Sequence, residues 1–281
     1  MSPPKQGFRY KKSLGQNFMI DRNVAVKLVK AAQIDENDIV LEIGPGMGSL
    51  TKELLNVSKK VTAVEIDERL VENLSAVFED HKNLEIVHKD FLEFDISDFA
   101  DASGGRIKIV GNIPYNITSQ ILIHTFDHFN AVSSVTVTMQ KEVAGRILSK
   151  AGSKNYGILS VYAALYSEPK KLFNVSRGVF NPKPKVESSA VMFKFKKSLP
   201  VDLLNLDLFI KVVRTTFGKR RKMLRNSLKE IGECTEFLSK NGFDLRKRPE
   251  SLGVEEFIEL SNAIHAWQEN ENDSTIATIS D

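Results

Sequence analysis

Val40-Leu41-Glu42-Ile43-Gly44-Pro45-Gly46-Met47-Gly48 carries a short apolar run into three glycines spaced two apart. Aliphatic residues at Val40, Leu41 and Ile43 predict a buried strand, and the glycines predict a tight turn at its end. Residues 48–57 read as a helix, so the stretch is strand, turn, helix. A glycine backbone turns sharply and lets a ligand approach closely. The helix that follows offers unpaired N–H groups in its first turn. A glycine-rich connection of this kind is equally an ordinary turn, so its meaning depends on its surroundings.

The alternation continues outward. Strands are predicted at Asp38–Ile43, Lys60–Ile66, Leu84–His88, Ile107–Gly111 and Ser134–Met139. Helices are predicted over about 48–57, 67–79, 117–129 and 140–149, after a first helix over about 22–33 capped by Asp21. Strands that alternate with helices imply parallel neighbours, because a parallel strand needs a long return connection. Beyond residue 150 the pattern changes to a helix at Tyr156–Tyr166 and two closing strands, Lys171–Val175 and Ser188–Lys197. A stiff loop, Phe180-Asn181-Pro182-Lys183-Pro184-Lys185, lies between those strands. The expected fold is α/β and Rossmann-like, with a mixed seven-stranded sheet, helices on both faces and a small all-α C-terminal domain. Boundaries are expected to give a basic arm at 1–21, the α/β domain at 22–199, the helical domain at 200–267 and an unstructured tail at 268–281.

The chain has 281 residues, 42% apolar and 27% charged, which is ordinary for a globular protein. No apolar run reaches the length of a membrane span, and the basic N-terminus lacks a secretory core. A single cysteine, Cys234, excludes an intrachain disulfide framework and fits a reducing, cytoplasmic setting. The net charge of +3 is modest, but its placement is not even. Lys211, Arg214, Lys219, Arg220, Arg221, Lys222 and Arg225 fall in one stretch without an acid, and Lys5, Arg9, Lys11 and Lys12 crowd the N-terminus. Such clusters meet phosphate backbones, or are simply solvated helix faces.

Two acids give the glycine turn a direction. Glu65 ends the second strand of the α/β pattern, where a carboxylate can accept both hydroxyls of a ribose. Asp90 follows the next strand, where it can accept an adenine amine. Each has a competing role as a helix N-cap or first-turn acid, for which Asp67 also competes. A nicotinamide dinucleotide fits the turn and Glu65, as in a dehydrogenase. Gly-x-Gly-x-Gly with Pro45 inside it suits pyrophosphate less well than Gly-x-Gly-x-x-Gly.

Asn112-Ile113-Pro114-Tyr115 ends the fourth strand of that pattern. The Asn112 oxygen and a carbonyl of the Pro114 turn can accept the two hydrogens of an exocyclic amine, while Tyr115 can stack on its ring. Phe180 is a candidate for the opposite ring face, against the alternative of a core aromatic. Asn116 and Thr118 are expected to cap the next helix. His124 and His128 lie one turn apart, yet no cysteine or acid motif joins them, so packing is preferred to metal binding. No metal is expected.

Ser13-Leu14-Gly15-Gln16-Asn17-Phe18, the loop at 42–48, Asn112–Tyr115 and Phe180–Ser188 resemble the ribosomal RNA adenine dimethyltransferases, a likeness covering roughly residues 8–267. The resemblance implies a class I methyltransferase fold and transfer of methyl groups from S-adenosylmethionine to N6 of two adjacent adenines in a hairpin near the 3′ end of small-subunit (16S) ribosomal RNA. It implies cofactor contacts at Asn17, Met19, Gly44, Gly46, Glu65, Asp90 and Asn112, with Met19 where most relatives have leucine. It also implies a role in small-subunit biogenesis on the pre-30S particle. Phe217–Leu228 and Arg248–Leu252 favour this branch over the large-subunit (23S), macrolide-resistance branch. The RNA contacts are expected at Lys219, Arg220, Arg221, Lys222 and Arg225. A non-catalytic assembly factor is the other alternative. A monomer is expected, for want of an oligomerisation seam.

Overall fold

Asp21 accepts hydrogen bonds from the N–H groups of Asn23 (2.8 Å) and Val24 (3.4 Å) and so starts the first helix, as its sequence position implies. The computed structural model describes Lys11 and residues 14–279, with side chains through residue 271. The remaining residues of the expected basic arm, Lys5, Arg9 and Lys12 among them, lie outside the described residues.

The strands are β1 (Phe18–Met19), β2 (Ile39–Ile43), β3 (Lys60–Glu65), β4 (Leu84–His88), β5 (Ile107–Asn112), β6 (Val132–Gln140), β7 (Ser167–Val175), β8 (Phe180–Asn181) and β9 (Ser188–Phe195). The helices are α1 (Arg22–Ala31), α2 (Ser49–Leu55), α3 (Glu68–Val77), α4 (Ile96–Ala102), α5 (Thr118–Asp127), α6 (Lys141–Ile147), α7 (Ile158–Tyr166), α8 (Leu206–Gly218), α9 (Leu224–Ser227), α10 (Thr235–Lys240) and α11 (Val254–Ile279). Seven strands form one sheet in the order β4-β3-β2-β5-β6-β9-β7. The first four neighbouring pairs are parallel and the two pairs made by β9 are antiparallel. The expected mixed sheet of seven is therefore present.

Side chains alternate across each strand, so one strand feeds two cores. Val40, Val61 and Val110 pack with Leu28 of α1, Leu54 of α2 and Leu74 of α3. Towards the other end of the sheet, Phe126 of α5 stacks on Tyr166 at 5.5 Å and meets Phe193 edge-on at 5.9 Å. Arg106 fastens that end by donating to the carbonyls of Phe129, Val132 and Lys196.

Four expectations are corrected. Strand β7 begins at Ser167, not Lys171, and includes Pro169. A proline lacks the N–H a central strand needs, but β7 is an edge strand, where the loss is tolerated. Helix α4 was not expected; the side chain of Asp95 accepts from the N–H of Asp98 (2.9 Å) and starts it. Residues 268–279 continue α11 instead of fraying. The chain divides into one unit of residues 1–145 and 166–197 and another of 146–165 and 198–281, so residues 146–165 leave the α/β domain to which 22–199 assigned them.

The second unit is helical. Phe217 of α8 packs on Tyr156 (6.0 Å) and Phe257 (5.9 Å). Burial, together with Glu255 and Glu256, pushes the Tyr156 phenol up to about 12. No helix among the described residues is long and apolar enough to cross a membrane.

Candidate active site

In chain order the strands β2, β3 and β4 run to one side and β5 then returns to the other side of β2. The chain ends of β2 and β5 therefore part, and a crevice at such a reversal is where open α/β sheets bind ligands. A cavity of about 240 Å³ lies there. Gly44, Gly46, Glu65, Asp90, Asn112, Pro114 and Tyr115 all line it, with Asn17 and Met19 from the segment before α1.

The glycine turn needs its glycines. Gly44 and Gly46 have φ of +58° and +59°, which residues with a Cβ rarely adopt. A Cβ on Gly46 would also lie 2.6 Å from the Phe18 ring. A Cβ on Gly44 would meet nothing within 4 Å, so only the backbone bounds that space.

Glu65 braces this turn from β3. One of its oxygens accepts from the N–H of Gly46 (3.2 Å) and the other from the N–H of Asp67 (3.0 Å). Burial raises the Glu65 carboxyl above the ordinary range, and the two backbone N–H groups oppose that shift. Asp90 both caps and lines the cavity: it accepts from the N–H of Leu92 (2.9 Å). Asp67 precedes α3 but makes no side-chain cap. Its carboxylate instead receives Arg69 (2.6 Å), Lys11 (3.1 Å) and Gln16 (3.1 Å), and the Arg69 contact above all holds it well below the usual carboxylate range.

Asn112 is oriented from both sides. Its Nδ2 donates to the Asn17 carbonyl (2.7 Å), which can only accept, so Oδ1 must face Thr138, whose hydroxyl donates to it (2.5 Å). One Oδ1 lone pair remains. Met19 is held by its carbonyl, which accepts from the Ser49 hydroxyl (2.6 Å). The Tyr115 hydroxyl lies 2.5 Å from Ser188 Oγ on β9. Burial raises the Tyr115 phenol, opposed by this hydrogen bond.

Phe180 is placed differently from its expected role. It is 2% exposed, pairs with Met19 in the two-stranded β1–β8 sheet, and packs in the α1–α3 core, away from the cavity lining. In this arrangement it is a core aromatic. Asn116 and Thr118 do not cap α5 either: the Thr118 hydroxyl donates backward to the carbonyls of Pro114 (3.2 Å) and Tyr115 (3.3 Å). His124 Nε2 donates to the Phe94 carbonyl (3.0 Å) and His128 Nδ1 to the His124 carbonyl (2.8 Å), which gives both rings structural roles.

The basic stretch lies in the helical unit. Lys219 pairs with Glu230 (2.5 Å), and Arg220 donates to the Lys154 carbonyl (2.6 Å) near Glu250 (3.8 Å). Arg221, Lys222 and Arg225 are exposed. Sequence reasoning missed Gln16, Thr138 and Ser188, whose contacts cross 51, 26 and 73 residues.

Glu42, the acid inside the opening stretch, is fully buried in β2. Neither of its oxygens makes a well-formed hydrogen bond among the described residues, although Thr51 is near enough to offset part of the cost. Burial raises its carboxyl to about 8. An acid whose folded pKa is raised keeps a proton that the unfolded chain has lost, so stability falls as pH rises from about 4.5 to about 8. Glu42→Gln is expected to flatten this decline and raise Tm at pH 8 relative to pH 5; parallel Tm-versus-pH curves for the two proteins would contradict it.

The family model described as ribosomal RNA adenine dimethylase matches residues 7–266. A protein of Clostridioides difficile named ribosomal RNA small subunit methyltransferase A is 38% identical over 268 residues, 93% of each chain. Its namesake in Chlorobium phaeobacteroides is 43% identical over 250 residues, 89% of this chain and 92% of that one. Among solved structures, a dimethyladenosine transferase from Plasmodium falciparum aligns with a TM-score of 0.72 at 29% identity, covering 86% of this chain and 95% of that one. The 23S rRNA methyltransferase ErmE aligns with a TM-score of 0.65 at 26% identity, covering 88% and 99%.

Proposed function

Because the chain belongs to the ribosomal RNA adenine dimethylase family, we propose that the cavity holds S-adenosylmethionine and that the protein dimethylates N6 of two adjacent adenines in small-subunit ribosomal RNA. The observation that carries this reading is one cavity bounded at once by the glycine turn, Glu65, Asp90, Asn112 and Tyr115. The small-subunit assignment is supported by relatives 38% and 43% identical that carry that name, against 26% for the 23S enzyme.

The cavity suits the cofactor. Open space above Gly44 admits a ligand against bare backbone, and the Glu65 carboxylate can accept ribose hydroxyls while keeping its two backbone bonds. Asp90 has a second oxygen for an adenine amine. S-adenosylmethionine supplies an electrophilic methyl group on a sulfonium. The chain's own residues hold and aim the acceptor. The free lone pair of Asn112 Oδ1 and a carbonyl of the 112–114 turn accept the N6 hydrogens and turn the nitrogen lone pair towards the donor side. Alignment then supplies most of the rate, since N6 can lose its proton after it is alkylated. The adenine must leave its stack, which costs a few kcal/mol; stacking on Tyr115 returns roughly 1–3 kcal/mol.

Incubating the protein with labelled S-adenosylmethionine and, in parallel, unmethylated small subunits and large subunits, followed by mass spectrometry of each RNA, tests this. Two dimethyladenines are expected. Absence of transfer would favour a binding-only assembly factor, and methylation of large-subunit RNA alone would move the substrate to the 23S branch.

The pre-30S particle is the proposed partner, reached through the exposed cations of the helical unit. Arg221, Lys222 and Arg225 are the candidates for phosphate contact, whereas Lys219 and Arg220 are engaged within the unit. Replacing the three exposed cations with glutamine is expected to lower the slope of log affinity against log salt by about 2–3. Arg220→Gln is expected to lower Tm instead. An unchanged slope in the triple variant would return these residues to a solvated helix face.

A further inference from the structure

The Tyr115 ring is at the cavity, but what fixes it comes from β9, two strands away from β5 in the sheet. Tyr115 lies in a single short turn, Tyr115–Ile117, whose N-terminal position makes no side-chain cap. Its phenol instead hydrogen-bonds with Ser188, 73 residues on, at 2.5 Å. Ser188 is fully buried and rigidly placed, the first residue of β9, opposite Gln140 of β6 on one side and Val175 of β7 on the other. A phenol that swings on two torsions is thus tied to the middle of a three-stranded antiparallel block.

We infer that Ser188 is a positioning residue that acts through the Tyr115 hydroxyl, holding the ring as a fixed platform for the incoming base. The inference rests on the proposed adenine-methylating activity. A stacking platform works best if its plane is set before the base arrives, because ordering a side chain on binding costs conformational entropy. The Ser188 hydroxyl meets that cost at folding. It also gives the half-buried phenol a partner, since a hydroxyl withdrawn from water and left unsatisfied is costly. Ser188 has no need to touch cofactor or base for this, and it is not among the residues that line the cavity.

A double-mutant cycle of Ser188→Ala, Tyr115→Phe and the double variant tests the link. Each single change is expected to lower kcat by roughly three- to tenfold, the scale of one hydrogen bond. The double variant should be no slower than the slower single one, because both remove the same contact. The affinity of S-adenosylhomocysteine, read by calorimetry, should stay within about twofold throughout. Losses that multiply, or a loss of cofactor affinity in place of turnover, would overturn the inference. A second readout needs no substrate. The chain has five tyrosines, so ring-labelled tyrosine gives a spectrum in which Tyr115→Phe identifies the Tyr115 signal. Ser188→Ala should move that signal, and an unmoved signal would overturn the inference. If the wild-type protein transfers no methyl group, the activity itself fails and the contact loses its catalytic purpose, while the spectrum still reports whether the contact exists.

Discussion

Asn112→Ala is expected to lower kcat by about 10²–10³-fold while leaving S-adenosylhomocysteine affinity within a few-fold. The scale follows from removing one preorganised group aimed at the reacting centre. Asn112 is preorganised in a concrete sense: the Asn17 carbonyl fixes which end of the amide points where, and the Thr138 hydroxyl confirms the choice from the neighbouring strand. Nothing must reorganise when the amine arrives. Alanine takes the donor from the Asn17 carbonyl and the acceptor from the Thr138 hydroxyl, at roughly 1 kcal/mol of stability each. A fall in Tm must therefore be measured beside kcat, and turnover compared well below the transition. Turnover equal to wild type under those conditions would remove Asn112 from the chemistry.

Glu65→Gln is expected to weaken S-adenosylhomocysteine about 10–100-fold, with kcat at saturating cofactor little changed. Both carboxylate oxygens accept backbone N–H bonds, one from Gly46 and one from Asp67. An amide has only one such oxygen, so its NH₂ would face a second N–H donor. The glycine turn then loses its brace at the same moment as the ribose loses an ionic acceptor, and hydrogen bonds to charged groups are worth about 1.5–3 kcal/mol. The pH dependence has a definite sign. Burial raises the Glu65 carboxyl, and only its ionised form accepts at every position, so affinity should decline with falling pH sooner than an ordinary carboxylate would dictate. Calorimetry across pH measures both effects; an affinity insensitive to Glu65→Gln would exclude the carboxylate from cofactor binding.

Much of this was legible because the signals were local. Val40–Ile43 before three glycines, Glu65 at a strand end and Asn112 before a proline each mark their place in a few residues, and the sheet puts them around one cavity. What was missed depended on distant pairing. The packing of Phe180 is decided by its register opposite Met19, 161 positions earlier in the chain, and no spacing rule predicts a two-residue sheet. Strand β7 starts four residues earlier than Lys171 and takes in Pro169, which its edge position allows and which no local pattern reveals. Lys219 and Arg220 look like Arg221 and Lys222 in sequence and differ in finding partners within the helical unit, Glu230 for one and the Lys154 carbonyl for the other. Helix α4 was the exception: Asp95-Ile96-Ser97-Asp98 offered a local cap.

The segment ahead of α1 has a practical bearing on any attempt to trim the protein. A cut at Asp21, natural if helices alone define the piece worth keeping, would discard Phe18 from beneath Gly46, Met19 from the core and two of the side chains that clasp Asp67. The shortened fragment would keep every strand of the large sheet yet lose one wall of its crevice. A minimal catalytic piece must therefore begin no later than Lys11.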